Sequence, residues 1–144
     1  MSRIDDVFGR LRAERRTGLV TYVTAGDPGL AASGEVLKAL DRAGADVLEV
    51  GVPFSDPLAD GPVIQRASER ALAAGATLAS VLDLVADVRA DLRAPIVLFT
   101  YVNPLARMGF ETFAARGPFG LSTISNCTRS PSFRVRKPSE RISE

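Results

Sequence analysis

The sequence predicts an α/β fold built on a parallel sheet. Short β-branched and apolar runs recur at 19–24 (LVTYVT), 46–50 (DVLEV) and 95–101 (PIVLFTY). Stretches with apolar residues at helical spacing separate them. The strands carry apolar residues on both faces, as a sheet covered on each side requires.

Residues 3–15 can form a helix with Ile4, Val7, Phe8 and Leu11 on one face. After the first strand, AGDPG reads as a turn. Residues 33–43 follow as a helix striped by Val36, Leu37, Leu40 and Ala43, with Ser33 as its N-cap and Gly44 as its stop. The second strand leads into GVPFSDPLADGP, too rich in Pro, Gly and Asp for regular structure. A helix is expected over 62–74, with Pro62 suited to its first turn. A second is expected over 78–91, on Leu78, Val81, Leu82, Val85 and Val88. The third strand follows, then a helix from 110 to 116. This order fits a flavodoxin-like sandwich and a (β/α)8 barrel alike, and periodicity does not separate them.

Composition narrows function by exclusion. The chain has 144 residues, 46% of them apolar, which fits one globular domain. Its net charge of +1 gives no case for a nucleic-acid or anionic-membrane partner. It has one cysteine and no histidine, which excludes a disulfide framework, histidine-based triads and the usual zinc sites. The N-terminus, MSRIDDVFGRLRAERR, carries no apolar segment after its charges and reads as cytoplasmic.

Composition also breaks near Gly117. Residues 1–117 hold 13 Lys+Arg against 15 Asp+Glu; residues 118–144 hold 5 against 2, with six serines and three prolines. The latter show no periodicity and are expected to be a disordered tail. Cys127 lies there with no base nearby to activate it. The cluster Arg134, Arg136 and Lys137 reads as solvated charge.

Alternation within 46–50 turns Leu48 and Val50 to one side and Val47 and Glu49 to the other. Leu48 and Val50 suit packing against helices. In a barrel, Glu49 then faces inward near the C-terminal ends of the strands, where barrel enzymes place their chemistry. With Tyr22 and Tyr101 on neighbouring strand ends, partial desolvation would raise its proton affinity toward the range useful for acid–base work. The plain alternative is a carboxylate solvating a wet strand end. In the loop, Asp60 suits capping of the helix at Pro62 and accepting a ligand N–H equally well. Asp56 suits a local turn. A metal site would need further oxygen ligands.

Three blocks, YVTAGDP (22–28), GADVLEVGVPFSDPLADGPVIQRASERAL (44–72) and YVNPLARMGFETF (101–113), resemble the tryptophan synthase alpha subunit family, over residues 1 to about 117. The resemblance implies an incomplete (β/α)8 TIM barrel: an N-terminal helix and about three β–α units in 1–117, with 118–144 a non-matching tail. It implies a lyase that cleaves indole-3-glycerol phosphate to indole and glyceraldehyde 3-phosphate. No cofactor is implied in this subunit; pyridoxal phosphate belongs to the beta partner of an alpha2-beta2 heterotetramer. By the same resemblance, Glu49 is the general acid/base that protonates the indole carbon, and Asp60 holds the indole N–H. Tyr22, Phe99 and Tyr101 line the substrate pocket. Pro53, Asp56, Pro57, Asn103, Pro104 and Leu105 meet the beta subunit.

A complete barrel needs roughly 250 residues and usually grips phosphate in the loops after strands 7 and 8. PFGLSTISNCTRSPS does not continue the family pattern, so a truncation or a shifted reading frame is the simplest account of the tail. Strands 19–24 and 95–101 would then be exposed edges, and the fragment is expected to be inactive alone. The alternative is a non-catalytic fragment that keeps only the beta-subunit surface. Another phosphosugar barrel enzyme is disfavoured by the specific 51–62 loop. A flavodoxin-like nucleotide binder would want a better phosphate loop than AGDPG.

Overall fold

The computed structural model describes residues 3–117, and the backbone of 122–125. The elements are α1 (Arg3–Ala13), β1 (Val20–Thr24), α2 (Leu30–Arg42), β2 (Val47–Gly51), α3 (Pro62–Ala73), α4 (Leu78–Arg89), β3 (Ile96–Thr100), α5 (Val102–Met108), α6 (Phe110–Arg116) and β4 (Ser122–Ser125). The strands form one parallel sheet in the order β1-β2-β3-β4. Consecutive parallel strands joined by helices form part of an α/β barrel, the incomplete TIM barrel expected.

Residues 95–101 were expected to be an open edge, but β4 pairs along β3 from Val97↔Ser122 to Thr100↔Ser125. These four residues come from the stretch expected to lack structure. The remainder of that expectation, with Cys127 and the Arg134–Lys137 cluster, lies outside the described residues. Among the described residues β1 is an edge, as expected, with β2 as its neighbour.

The two faces of the sheet are covered unequally. Leu48, Val50, Ile96 and Leu98 point to the helices and are at most 1% exposed. They join Leu37 of α2 and Val81, Leu82, Val85 and Val88 of α4 in the main core. On the opposite face, Val47 and Val97 pack under Val7 and Leu11 of α1, with Ile4 beside them. α1 therefore covers the N-terminal end of this inner face. Towards the C-terminal ends, Tyr22, Glu49 and Phe99 are only half-buried.

Helix α2 departs from its expected stripe. It begins at Leu30 after Gly29, so Ser33 lies inside it. The Ser33 hydroxyl accepts the Gly26 N–H at 3.0 Å and donates to the Gly29 carbonyl, which ties the β1–α2 turn to the helix. Ser33, Gly34, Leu37 and Asp41 form the buried side, whereas Val36 is exposed. The cause is close packing. A Cβ on Gly34 would lie 3.1 Å from Leu84 and 3.3 Å from Val88, so the small residue sets which face meets α4. Gly44 stops the helix as expected, at φ +100°.

Helix α5 was not expected. Pro104 reads as a breaker, but it falls in the first turn, where its missing N–H removes no helical bond. Helix α4 is held by a reciprocal cap: the Thr77 side chain accepts the Ser80 N–H at 3.2 Å, and the Ser80 hydroxyl accepts the Thr77 N–H at 2.9 Å. No single helix among the described residues is long and apolar enough to cross a membrane.

Candidate active site

Register places Tyr22 beside Glu49 and Glu49 beside Val97, with Gly51 beside Phe99. In a parallel sheet such partners share a face. Glu49 therefore stands on the inner face, flanked across the strands by Tyr22. The Tyr22 and Phe99 rings meet edge to face, with centroids 5.9 Å apart. Gly51 is the close approach that permits this. A Cβ there would overlap the Tyr22 hydroxyl and lie 2.5 Å from its Cζ.

Asp60 reaches the same end of the sheet from the loop. The Tyr101 hydroxyl donates to Asp60 Oδ2 at 3.2 Å and accepts the Ala59 N–H at 3.1 Å. The Phe54 ring lies 4.9 Å from that of Tyr101, tilted by 30°. Gln65 Nε2 donates to the carbonyl of Asp60 at 2.9 Å and to that of Pro57 at 3.3 Å. Phe54 and Gln65 were not singled out from sequence. Gln65 could have been noticed as an amide one turn into the helix that follows a loop with many bare carbonyls.

Of the two readings of Asp60, the structural one, capping, fails. Gly61 is the N-cap of α3 and no side chain caps it. The carboxylate turns to Tyr101 instead. Asp56 sits in a turn, its carbonyl accepting the Leu58 N–H at 2.9 Å.

The electrostatics agree with a shared site. Burial pushes the Tyr22 phenol above its ordinary range; a bond with Thr24 opposes this, and the charges of Asp60 and Glu49 reinforce it. Burial also raises Tyr101, against the Ala59 N–H and together with Asp60. Tyr22 thus feels both carboxylates and Tyr101. Among the described residues, no group of three or more Asp, Glu, His or Cys side chains could hold a metal ion.

The residues expected to meet a beta subunit separate by burial. Asp56 and Asn103 are exposed, and Pro57 and Pro104 are half-buried. Pro53 is buried, and Leu105, at 2% exposed, is part of the main core.

A cavity of about 260 Å³ lies at the other end of the sheet, lined by Arg10, Arg16, Asp41, Asp46 and Arg93 among others. Its charges are spent on structure. Asp46 accepts from Arg16 and from the Leu19 N–H, while Asp41 accepts from the Arg93 and Ala94 N–H groups.

Residues 8–118 match the sequence model of the tryptophan synthase alpha chain. The chain belongs to this family. It is 55% identical over 125 residues to the tryptophan synthase alpha chain of Synechococcus elongatus, covering 84% of this chain and 47% of that one. It is 59% identical over 116 residues to that of Burkholderia pseudomallei, covering 80% and 43%. The crystal structure of the Legionella pneumophila alpha chain superposes with a TM-score of 0.81 at 41% identity, over 88% of this chain and 48% of that one. Tryptophan synthase from M. tuberculosis in its aminoacrylate-bound form gives 0.77 at 40% identity, over 85% and 51%. This chain thus spans less than half the length of these curated alpha chains. The residues that match the family, 8–118, include β1, β2, β3 and the loop that carries Asp60.

Proposed function

We propose that this chain carries the acid–base half of an indole-3-glycerol phosphate lyase site. One observation supports the reading: Tyr22, which stands beside Glu49 and meets the Phe99 ring, feels the charges of both Glu49 and Asp60, while Tyr101 holds Asp60. Cleavage to indole and glyceraldehyde 3-phosphate must place a proton on the indole carbon whose bond breaks and remove one from a substrate hydroxyl. Glu49 is the group to move these protons. Asp60 accepts the indole N–H and stabilises positive charge developing on that nitrogen. The aromatic cup suits the flat apolar ring, and the two tyrosine hydroxyls add polar contacts at its rim.

Phosphate has no comparable cradle among the described residues, since barrel enzymes usually grip it after strands 7 and 8. The isolated chain is therefore proposed to lack turnover. The exposed Asp56 and Asn103, on the loop side, suit contact with a beta subunit.

The test joins residues 1–117 to the remaining half of the Legionella pneumophila alpha chain and follows release of indole. The restored barrel should cleave the substrate, and Glu49→Gln should abolish cleavage with the fold intact. Normal cleavage by the Gln variant would refute the assignment.

A further inference from the structure

We propose that Gln65 is a positioning residue: its side-chain amide fastens both ends of the turn 57–60 and so sets where the Asp60 carboxylate stands. What Asp60 does there rests on the lyase reading; its placement by Gln65 is tested without cleavage.

Burial does little to hold this turn. Leu58, at its corner, is 83% exposed, and Ala59 is exposed beside it. The turn's own hydrogen bond runs from the Asp60 N–H to the Pro57 carbonyl at 3.0 Å. Gln65 Nε2 donates to that same carbonyl at 3.3 Å and to the Asp60 carbonyl at 2.9 Å. One nitrogen thus reaches the first and the last residue of the turn. Both acceptors are carbonyl oxygens, so only the nitrogen end of the amide fits, and a carboxylate of the same shape would be repelled.

The amide is not spent on its own helix. Gln65 lies in the first turn of α3, its N–H bonded to the Gly61 carbonyl at 3.0 Å. A side chain serving that helix start would accept from free N–H groups. Gln65 donates backwards to the loop instead. Its base is firm: Arg70, further along α3, makes paired bonds of 2.8 and 2.6 Å to Asp27 in the β1–α2 turn. A Cβ on Gly26 of that turn would lie 3.2 Å from the Ala71 methyl. Gln65 therefore fixes the backbone of Asp60 from α3, while Tyr101 fixes its carboxylate from the end of β3.

The experiment uses the full chain and two variants. Gln65→Met keeps length and helix propensity but has no donor. Gln65→Glu keeps the shape and adds an acid to the first turn, which favours the helix while repelling the loop. In both, exchange of the Asp60 amide should speed up roughly tenfold, as loss of two ordinary hydrogen bonds allows. Exchange of the Leu48 amide, bonded to the Pro95 carbonyl, should not change. The second readout is spectroscopic. The chain has two tyrosines and no tryptophan, so with Tyr22→Phe throughout, tyrosinate absorbance follows Tyr101 alone. Burial raises the Tyr101 phenol and the Asp60 charge adds to this, against the Ala59 N–H. Gln65→Met should shift its titration down, as Asp60→Asn should, and should add little on top of Asp60→Asn. Unchanged Asp60 exchange in either variant, equal acceleration at Leu48, or a Gln65→Met shift just as large without the Asp60 carboxylate would overturn the proposal. Normal cleavage by the Glu49→Gln barrel would refute the lyase reading and leave these results standing, so the two fail separately.

Discussion

The Tyr101 hydroxyl donates to Asp60 Oδ2 and accepts the Ala59 N–H, so one side chain at the end of β3 clasps two residues of the β2–α3 loop. Tyr101→Phe keeps the ring against Phe54 and removes both bonds. A hydrogen bond to a charged partner contributes about 1.5–3 kcal/mol, and solvent at this half-buried site lowers that to about 1 kcal/mol. The clearer signal is local. Amide exchange at Ala59 should speed up while that of the β2 core amides does not. Unchanged exchange at Ala59 would show that the loop is held by other means.

Gly51→Ala tests the packing of Tyr22. The added methyl overlaps the Tyr22 ring, and overpacking of this kind costs about 1–3 kcal/mol. Tyr22→Ala in the same chain should recover part of the loss, because the two side chains compete for one space. A double-mutant cycle with a coupling of zero would argue against the contact.

Acid should unfold the chain through its N-terminal-end carboxylates. The Asp46 carboxyl is held below its ordinary range by the Arg16 guanidinium first and the Leu19 N–H second, against burial. Burial pushes Asp41 up, but the Ala94 and Arg93 N–H groups and the Arg93 side chain outweigh it and leave it lowered. A lowered folded-state pKa means that the unfolded chain binds protons first. The stabilisation is whole above the unfolded value of about 3.9 and drains as pH falls below it towards the folded values. Urea midpoints measured from pH 6 down to pH 2.5 should fall steeply below pH 4. Asp46→Asn should lower the midpoint at pH 6 and flatten the fall.

The helix-covered face should carry most of the stability. Leu98 is fully buried in the main core, and Leu98→Ala is expected to cost about 2–5 kcal/mol. Val97→Ala, one residue along and beneath α1, deletes less volume and should cost about 1–2 kcal/mol on the same scale. Denaturant melts of the two variants compare them directly. Equal losses would mean that α1 packs more firmly than its small cluster implies.

β1, β2, β3, α3, α4 and the face of Glu49 were legible because each rests on a short-range pattern. Period-two alternation in DVLEV is enough to separate Glu49 from Leu48 and Val50. What escaped depends on distant partners. The packing face of α2 follows from Leu84 and Val88 against Gly34, fifty residues or more away. From its neighbours Asp60 suits a cap and a ligand contact equally, and only Tyr101, across 41 residues of chain, turns it from the cap. Helix α5 was hidden because Pro104 breaks a helix anywhere but in the first turn.

Because α1 seats itself on Val47 and Val97, the floor is stoppered. On the proposed reading, substrate then comes to Glu49 from the opposite end, where Tyr101 holds Asp60.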